Sequence, residues 1–124
     1  MDIQQKYNAV IYNVKSSMQV PGAITVPGML EQVKINPSWQ NWLNLSLAFY
    51  NAGDFKECID AANTVLKINP SCANAYNNIC AAFNQLKEWD NAVTAGQKGI
   101  MLEPNNQLIV GNLKNALDNK MKNK

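Results

Sequence analysis

The sequence predicts an all-α protein, a short array of antiparallel helix pairs, and three observations carry that prediction. Apolar residues recur at helical spacing along most of the 124 residues. Pro, Gly and Asn interrupt them at intervals, as breaks between helices do. Above all, one stretch is written twice. Trp42, Leu45, Phe49, Phe55, Cys58, Leu66 and Pro70 are answered 34 residues later by Tyr76, Ile79, Phe83, Trp89, Ala92, Ile100 and Pro104. A fixed period of that length marks a repeat architecture in which each helix pair buries its apolar face only against its neighbours.

Taken in order, Ile3, Tyr7, Val10, Ile11, Val14 and Met18 form one apolar stripe on an opening helix of about four turns, which Val20-Pro21-Gly22 stops. The two Pro-Gly pairs between Val20 and Gly28 predict a loop or short extended piece, followed by a short helix from about Met29 to Ile35. Ser38 is a candidate N-cap for a helix from Trp39 to about Ala52, with Gly53 as its left-handed stop. Asp54 is placed to cap the next helix, Phe55 to about Ile68, which Asn69-Pro70 ends. Ser71 is placed to cap a helix from Ala73 to about Leu86, and its partner runs from Trp89 to Leu102 before Glu103-Pro104. A last helix, Gln107 to about Met121, holds Leu108, Val110, Leu113, Leu117 and Met121 on one side, and its other side, with Asn112, Lys114, Asn115, Asp118 and Asn119, suits water.

Composition fits one small domain and narrows its chemistry. Apolar residues make up 47% and charged residues 16%, so the surface is polar and weakly charged, rich in Asn and Gln. The net charge of +2 arises without any arginine, so the planar forks that grip phosphate are missing and nucleic acid is not an expected partner. No run approaches the roughly 18 apolar residues of a membrane span. Met1 to Lys6 is polar, which predicts no secretory signal in this segment. Cys58, Cys72 and Cys80 are odd in number and lack a Cys-x-x-Cys pair, which favours thiols in a reducing compartment such as the cytoplasm. Cys58 and Cys80 fall at small core positions, whereas Cys72 lies in a turn where exposure is expected.

With zero histidines, metal sites, triads and acid–base pairs built on imidazole are excluded. Gly96 and Gly99 lie within a helix and suit close packing, not a phosphate loop. The acids Asp54, Glu57 and Asp90 sit near helix starts, where they complement the helix dipole. No catalytic, cofactor-binding or metal residues are therefore expected, and the chain reads as a non-enzyme.

The repeated stretch resembles the tetratricopeptide repeat. With Trp39 as position 1, Trp42, Leu45, Phe49, Gly53, Phe55 and Pro70 fall at the family's marked positions, and Tyr76, Ile79, Phe83, Trp89, Ala92 and Pro104 repeat them. Ser46 and Cys80 stand in place of a small Gly, Cys58 and Val65 at Ala positions, and Lys87 in place of the turn Gly. The resemblance implies a short right-handed superhelical array with three parts. Residues 1–36 form an irregular N-terminal cap, 37–106 two repeats, and 107–124 a capping helix with a basic tail. Ile35-Asn36-Pro37 echoes Ile68-Asn69-Pro70, a trace of a degenerate earlier repeat.

The resemblance further implies that the inner face of each first helix lines a concave groove. Here that face carries Gln40, Leu43, Asn44, Leu47, Tyr50 and Asn51, then Asn74, Asn77, Asn78, Ala81, Asn84 and Gln85, then Leu108, Gly111, Asn112 and Asn115. Asn44, Asn78 and Asn112 recur at the repeat period. Each carboxamide both donates and accepts, so a ladder of them suits the backbone of an extended peptide, with Asn44, Leu47, Tyr50, Asn74, Asn77, Asn78, Asn112 and Asn115 as candidate contacts. Asn at this place also bonds neighbouring helices in the family. The carboxylate clamp that some members use for acidic chaperone tails is not reproduced. Leu43, Leu47, Leu108 and Asn112 occupy its places, and Asn78 alone fits.

Two function classes follow: a scaffold binding a protein or extended peptide, and a homo-oligomerisation module acting through the stripe Ile3 to Val14. As context, Asn77 to Phe83 and Asn106-Gln107-Leu108 loosely resemble repeat segments of larger bacterial membrane glycosyltransferases. Lys114, Lys120, Lys122 and Lys124 read as a solvated, frayed helix end that complements the negative end of the helix dipole.

Overall fold

The computed structural model describes residues 25–122. The apolar stripe from Ile3 to Met18, the break at Val20 to Gly22 and Lys124 lie outside them. The described residues form six helices: α1 (Val26–Ile35), α2 (Trp39–Asn51), α3 (Phe55–Ile68), α4 (Ala73–Gln85), α5 (Trp89–Leu102) and α6 (Gln107–Lys122). Each packs on the next, so α2 with α3 and α4 with α5 are the two helix pairs that the period predicts.

Local chemistry explains most of the boundaries. The helix expected from Met29 begins at Val26. Thr25 Oγ1 accepts from the Gly28 backbone N–H at 3.1 Å, and Pro27 falls in the first turn, where its missing N–H has no intrahelical partner to lose. The second Pro-Gly pair therefore starts a helix and does not extend a loop. Ser38 caps α2 as expected, accepting from Asn41 N–H at 3.2 Å. Asp54 stands at the N-cap of α3 without a capping side-chain bond. Ser71 does not cap α4: that position is Cys72, because Asn69 Oδ1 and its carbonyl take the N–H groups of Ser71 and Cys72 in a turn one residue longer than expected. Asn106 caps α6, its Oδ1 accepting from Leu108 and Ile109 N–H at 3.1 and 3.3 Å.

The two first helices end in the same motif. After α2, Gly53 has φ +81°, with Gly53 N–H donating to Tyr50 C=O and Asp54 N–H to Phe49 C=O. After α4, Lys87 takes φ +61°, and Lys87 and Glu88 N–H donate to Asn84 and Phe83. These are paired six-to-one and five-to-two bonds around a left-handed residue. Lys87 keeps the turn despite its side chain.

One core runs through the array. Leu30 and Val33 of α1 meet Leu45 and Phe49 of α2; Cys58, Ala61, Ala62 and Val65 of α3 continue it to Ala75, Ile79 and Cys80 of α4, then to Ala92, Val93 and Ala95 of α5 and Ala116 of α6. α1 thus covers the side of the first pair that its aromatic residues would otherwise expose. Small residues set the close approaches. A Cβ at Gly96 would stand 3.0 Å from Leu113 Cβ, and one at Gly99 3.1 Å from Ile109 Cδ1. All three thiols are buried and free, Cys72 included, against the expectation that its turn is exposed. Its N-cap position faces the seam between the pairs, where it joins the core.

α6 departs from its predicted face. Ile109 and Ala116 are buried, with Leu113 half-buried beside them, whereas Leu108, Val110, Leu117 and Met121 are exposed, Met121 to 72%. The expected stripe had merged two faces. Position 4 of the repeat, filled here by Val110, is Tyr76 in the preceding unit, where it stands beside Gly99 of the second helix of its own pair, and no such helix follows α6 among the described residues. Of the lysines there, Lys120 reaches back to α5 and pairs with Asp90 at 2.8 Å. No helix among the described residues is long and apolar enough to cross a membrane.

Candidate functional site

The packing defines an inner and an outer side. α2 touches α4 and α4 touches α6, whereas α3 and α5 make no contact with each other. The first helices therefore form a continuous wall, and the second helices splay behind it. Between α3 and α5 opens a cleft of about 170 Å³ floored by Tyr76, Ile79 and Phe83 and edged by Asn63 and Lys98.

Along the wall the candidate residues divide by what they bond. Asn44 and Asn74 are exposed and make no described hydrogen bond, and Leu47 lies beside Asn44 at 37% exposure. Asn78 turns its donor inward: Nδ2 donates to Ser46 Oγ at 3.3 Å. That hydroxyl is fully buried and itself donates to the Cys58 carbonyl at 2.9 Å. Asn112 Nδ2 donates to Asn77 Oδ1 at 2.8 Å, and Asn84 Nδ2 to the Asn112 carbonyl at 2.9 Å. Gln85 Nε2 donates to Tyr50 Oη at 3.3 Å, and Tyr50 stacks edge-on against Phe55 with centroids 5.4 Å apart. Asn115 of α6 is exposed and accepts from Asn119 Nδ2 at 2.9 Å.

The period-spaced asparagines thus differ from one another. Asn78 and Asn112 each use Nδ2 to join adjacent helices, which leaves Oδ1 without a partner among the described residues, while Asn77 keeps Nδ2. Asn44 has no partner for either group among the described residues. These free groups and the apolar Leu43, Leu47 and Tyr50 are what the wall presents. No lysine lies on its inner positions. Sequence reasoning did not identify Ser46 as the buried hub or Gln85 as the tether of Tyr50. The repeat frame offered a signal for both, since each bond joins residues separated by nearly one period, 32 and 35. Asn84 Oδ1 is buried with no hydrogen-bond partner among the described residues.

Behind the wall, burial holds the thiols of Cys58 and Cys80 neutral. Burial pushes the Cys80 thiol up to about 11, opposed by a hydrogen bond involving the Gly96 backbone. Burial also raises Cys58, opposed by Ser46. Among the described residues no cluster of His, Cys, Asp and Glu could hold a metal ion.

Comparison with known proteins places this geometry. The chain is 18% identical to the first tetratricopeptide-repeat domain of human RPAP3, with a TM-score of 0.74 over 96% of this chain and 90% of that one. It is 17% identical to the TPR2B domain of yeast Sti1, solved as a complex with pHsp70, with a TM-score of 0.70 over 93% and 96%. It carries the tetratricopeptide-repeat fold, and its described residues hold α1, two helix pairs and α6. In sequence it is 30% identical over 74 residues to a probable UDP-N-acetylglucosamine–peptide N-acetylglucosaminyltransferase SEC of Arabidopsis thaliana, covering 60% of this chain and 8% of that protein. It is also 30% identical over 78 residues to the small glutamine-rich tetratricopeptide repeat-containing protein 2 of Mycosarcoma maydis, covering 62% of this chain and 22% of the relative. The chain thus spans less than a quarter of either curated relative. No protein-family profile matches it.

Proposed function

We propose that this chain is a non-catalytic scaffold that binds an extended protein segment along the wall formed by α2, α4 and α6. One observation carries the reading: among the described residues Asn44 makes no side-chain hydrogen bond, and Asn77 Nδ2, Asn78 Oδ1 and Asn112 Oδ1 have no partner, on the same first helices that carry the apolar Leu43, Leu47 and Tyr50. The carboxamides suit a peptide backbone, and the apolar end suits one aliphatic or aromatic side chain. Asn74 and Asn115 flank this stretch. The fold neighbours support the same class of partner, since Sti1 TPR2B is solved with pHsp70 and the first repeat domain of Spaghetti with the HSP90 peptide SRMEEVD.

The ligand proposed here is not acidic. SRMEEVD carries three acidic side chains and a terminal carboxylate, and the inner positions here offer no cation to meet them. Nucleic acid is disfavoured on the same ground.

Selection from a peptide-display library tests the proposal, with affinity measured by fluorescence anisotropy. Neutral peptides bearing one large apolar residue are expected to enrich, and SRMEEVD to stay unbound. Leu47→Glu is expected to weaken binding more than tenfold, and Asn44→Ala and Asn77→Ala several-fold each. Affinity unchanged in Leu47→Glu would falsify the site. A second reading, the repeat segment of a larger glycosyltransferase-type protein, draws on the 30% identity to the plant transferase; the 8% span proposes a shared repeat segment and no shared chemistry.

A further inference from the structure

We infer that α6 is a self-association surface, on which two copies of this chain pair their α6 helices antiparallel through Val110, Lys114, Leu117 and Met121. At about 100° per residue these four side chains fall within roughly a 60° arc, beside the buried stripe of Ile109, Leu113 and Ala116 but distinct from it. Val110, Leu117 and Met121 are 36%, 41% and 72% exposed, an apolar strip with only one charged head in it. Lys114 lies at the centre, where its four-carbon stem adds apolar surface and its ammonium can swing to the edge.

The occupant follows from the register. In an antiparallel pair centred between residues 115 and 116, Val110 faces the second copy's Met121 and Lys114 faces its Leu117. Every residue of the strip thereby meets another residue of the same strip. The edge is complementary as well: Lys114 of each helix comes alongside Asp118 of the other, and neither side chain has a described ion-pair partner within its own chain, unlike Lys120 with Asp90. The operation is two-fold, so each favourable contact occurs twice. One helix pair buries less than the roughly 1,200 Å² of a standard stable interface, so the dimer is weak, with a dissociation constant on the order of 100 µM.

Sedimentation equilibrium of the full chain from about 10 µM to about 1 mM tests this, a range that brackets such a constant. Mass should rise from monomer to dimer. Leu117→Lys, at an exposed position that leaves the core intact, should raise the dissociation constant at least tenfold with an unchanged helical circular-dichroism signal. Lys114→Glu and Asp118→Lys should each weaken association about two- to tenfold, and the double exchange should restore it to within about twofold. A chain that stays monomeric at 1 mM overturns the proposal. So does a dimer insensitive to Leu117→Lys, or a double exchange no better than its singles.

Discussion

Lys87 occupies the left-handed position that Gly53 fills one repeat earlier, at φ +61° against +81°. An L-residue pays about 1–2 kcal/mol there, partly offset by its lower unfolded-state entropy. Lys87→Gly is therefore expected to raise unfolding stability by about 0.5–1 kcal/mol, read as a higher urea midpoint at unchanged slope. Gly53→Ala should move the midpoint the other way by a similar amount. Cys80 makes a second residue-scale prediction. Its thiol is shifted from 9.0 up to about 11, so between those values the folded chain keeps a proton that the unfolded chain releases. Stability then falls as pH rises above 9, by at most about 1.4 kcal/mol per unit for one thiol. Urea melts at pH 8 and pH 10 should show a smaller loss in Cys80→Ala than in wild type. An equal loss would place the effect elsewhere.

At the scale of elements, α6 shows what periodicity leaves open. Its apolar residues form two adjacent stripes, and a helical repeat alone does not say which is buried. Ile109, missing from the expected face, is fully buried between α5 and α4, near Gly99 and Tyr76. Leu108, included in it, is 67% exposed. Ile109→Ala should cost about 2–4 kcal/mol, and Leu108→Ala less than about 0.5 kcal/mol, by thermal or chemical melts. Similar costs for the two would reverse the assignment. The start of α1 carries a related lesson. Pro-Gly reads as a breaker from sequence, but Thr25 placed just before Pro27 turns the pair into a helix start.

For the whole molecule, the asparagines serve as struts as well as surface. Ser46 with Asn78 and Asn77 with Asn112 each join one unit to the next. Stability of such an array is a sum of unit and seam terms, so seam bonds set how cooperatively it unfolds. Ser46→Ala and Asn78→Ala should each cost about 1 kcal/mol, and the double variant less than their sum by about 0.5 kcal/mol or more. Strict additivity would mean that the 3.3 Å contact contributes nothing.

Local chain stereochemistry and side-chain size repeated in register are enough to specify the helix pairs, their period, the Gly53 turn and the buried positions of Phe49, Leu45, Cys58 and Cys80. The period also places the candidate groove residues on one set of helices. Packing between helices settles instead which carboxamide groups keep a free donor or acceptor among the described residues, that Cys72 is buried, and which stripe of α6 faces the core. Those outcomes depend on what a neighbouring helix brings within reach, Ser46 for Asn78 or Gly99 for Ile109, and such distances are fixed by how helices pack rather than by the residues of any one of them.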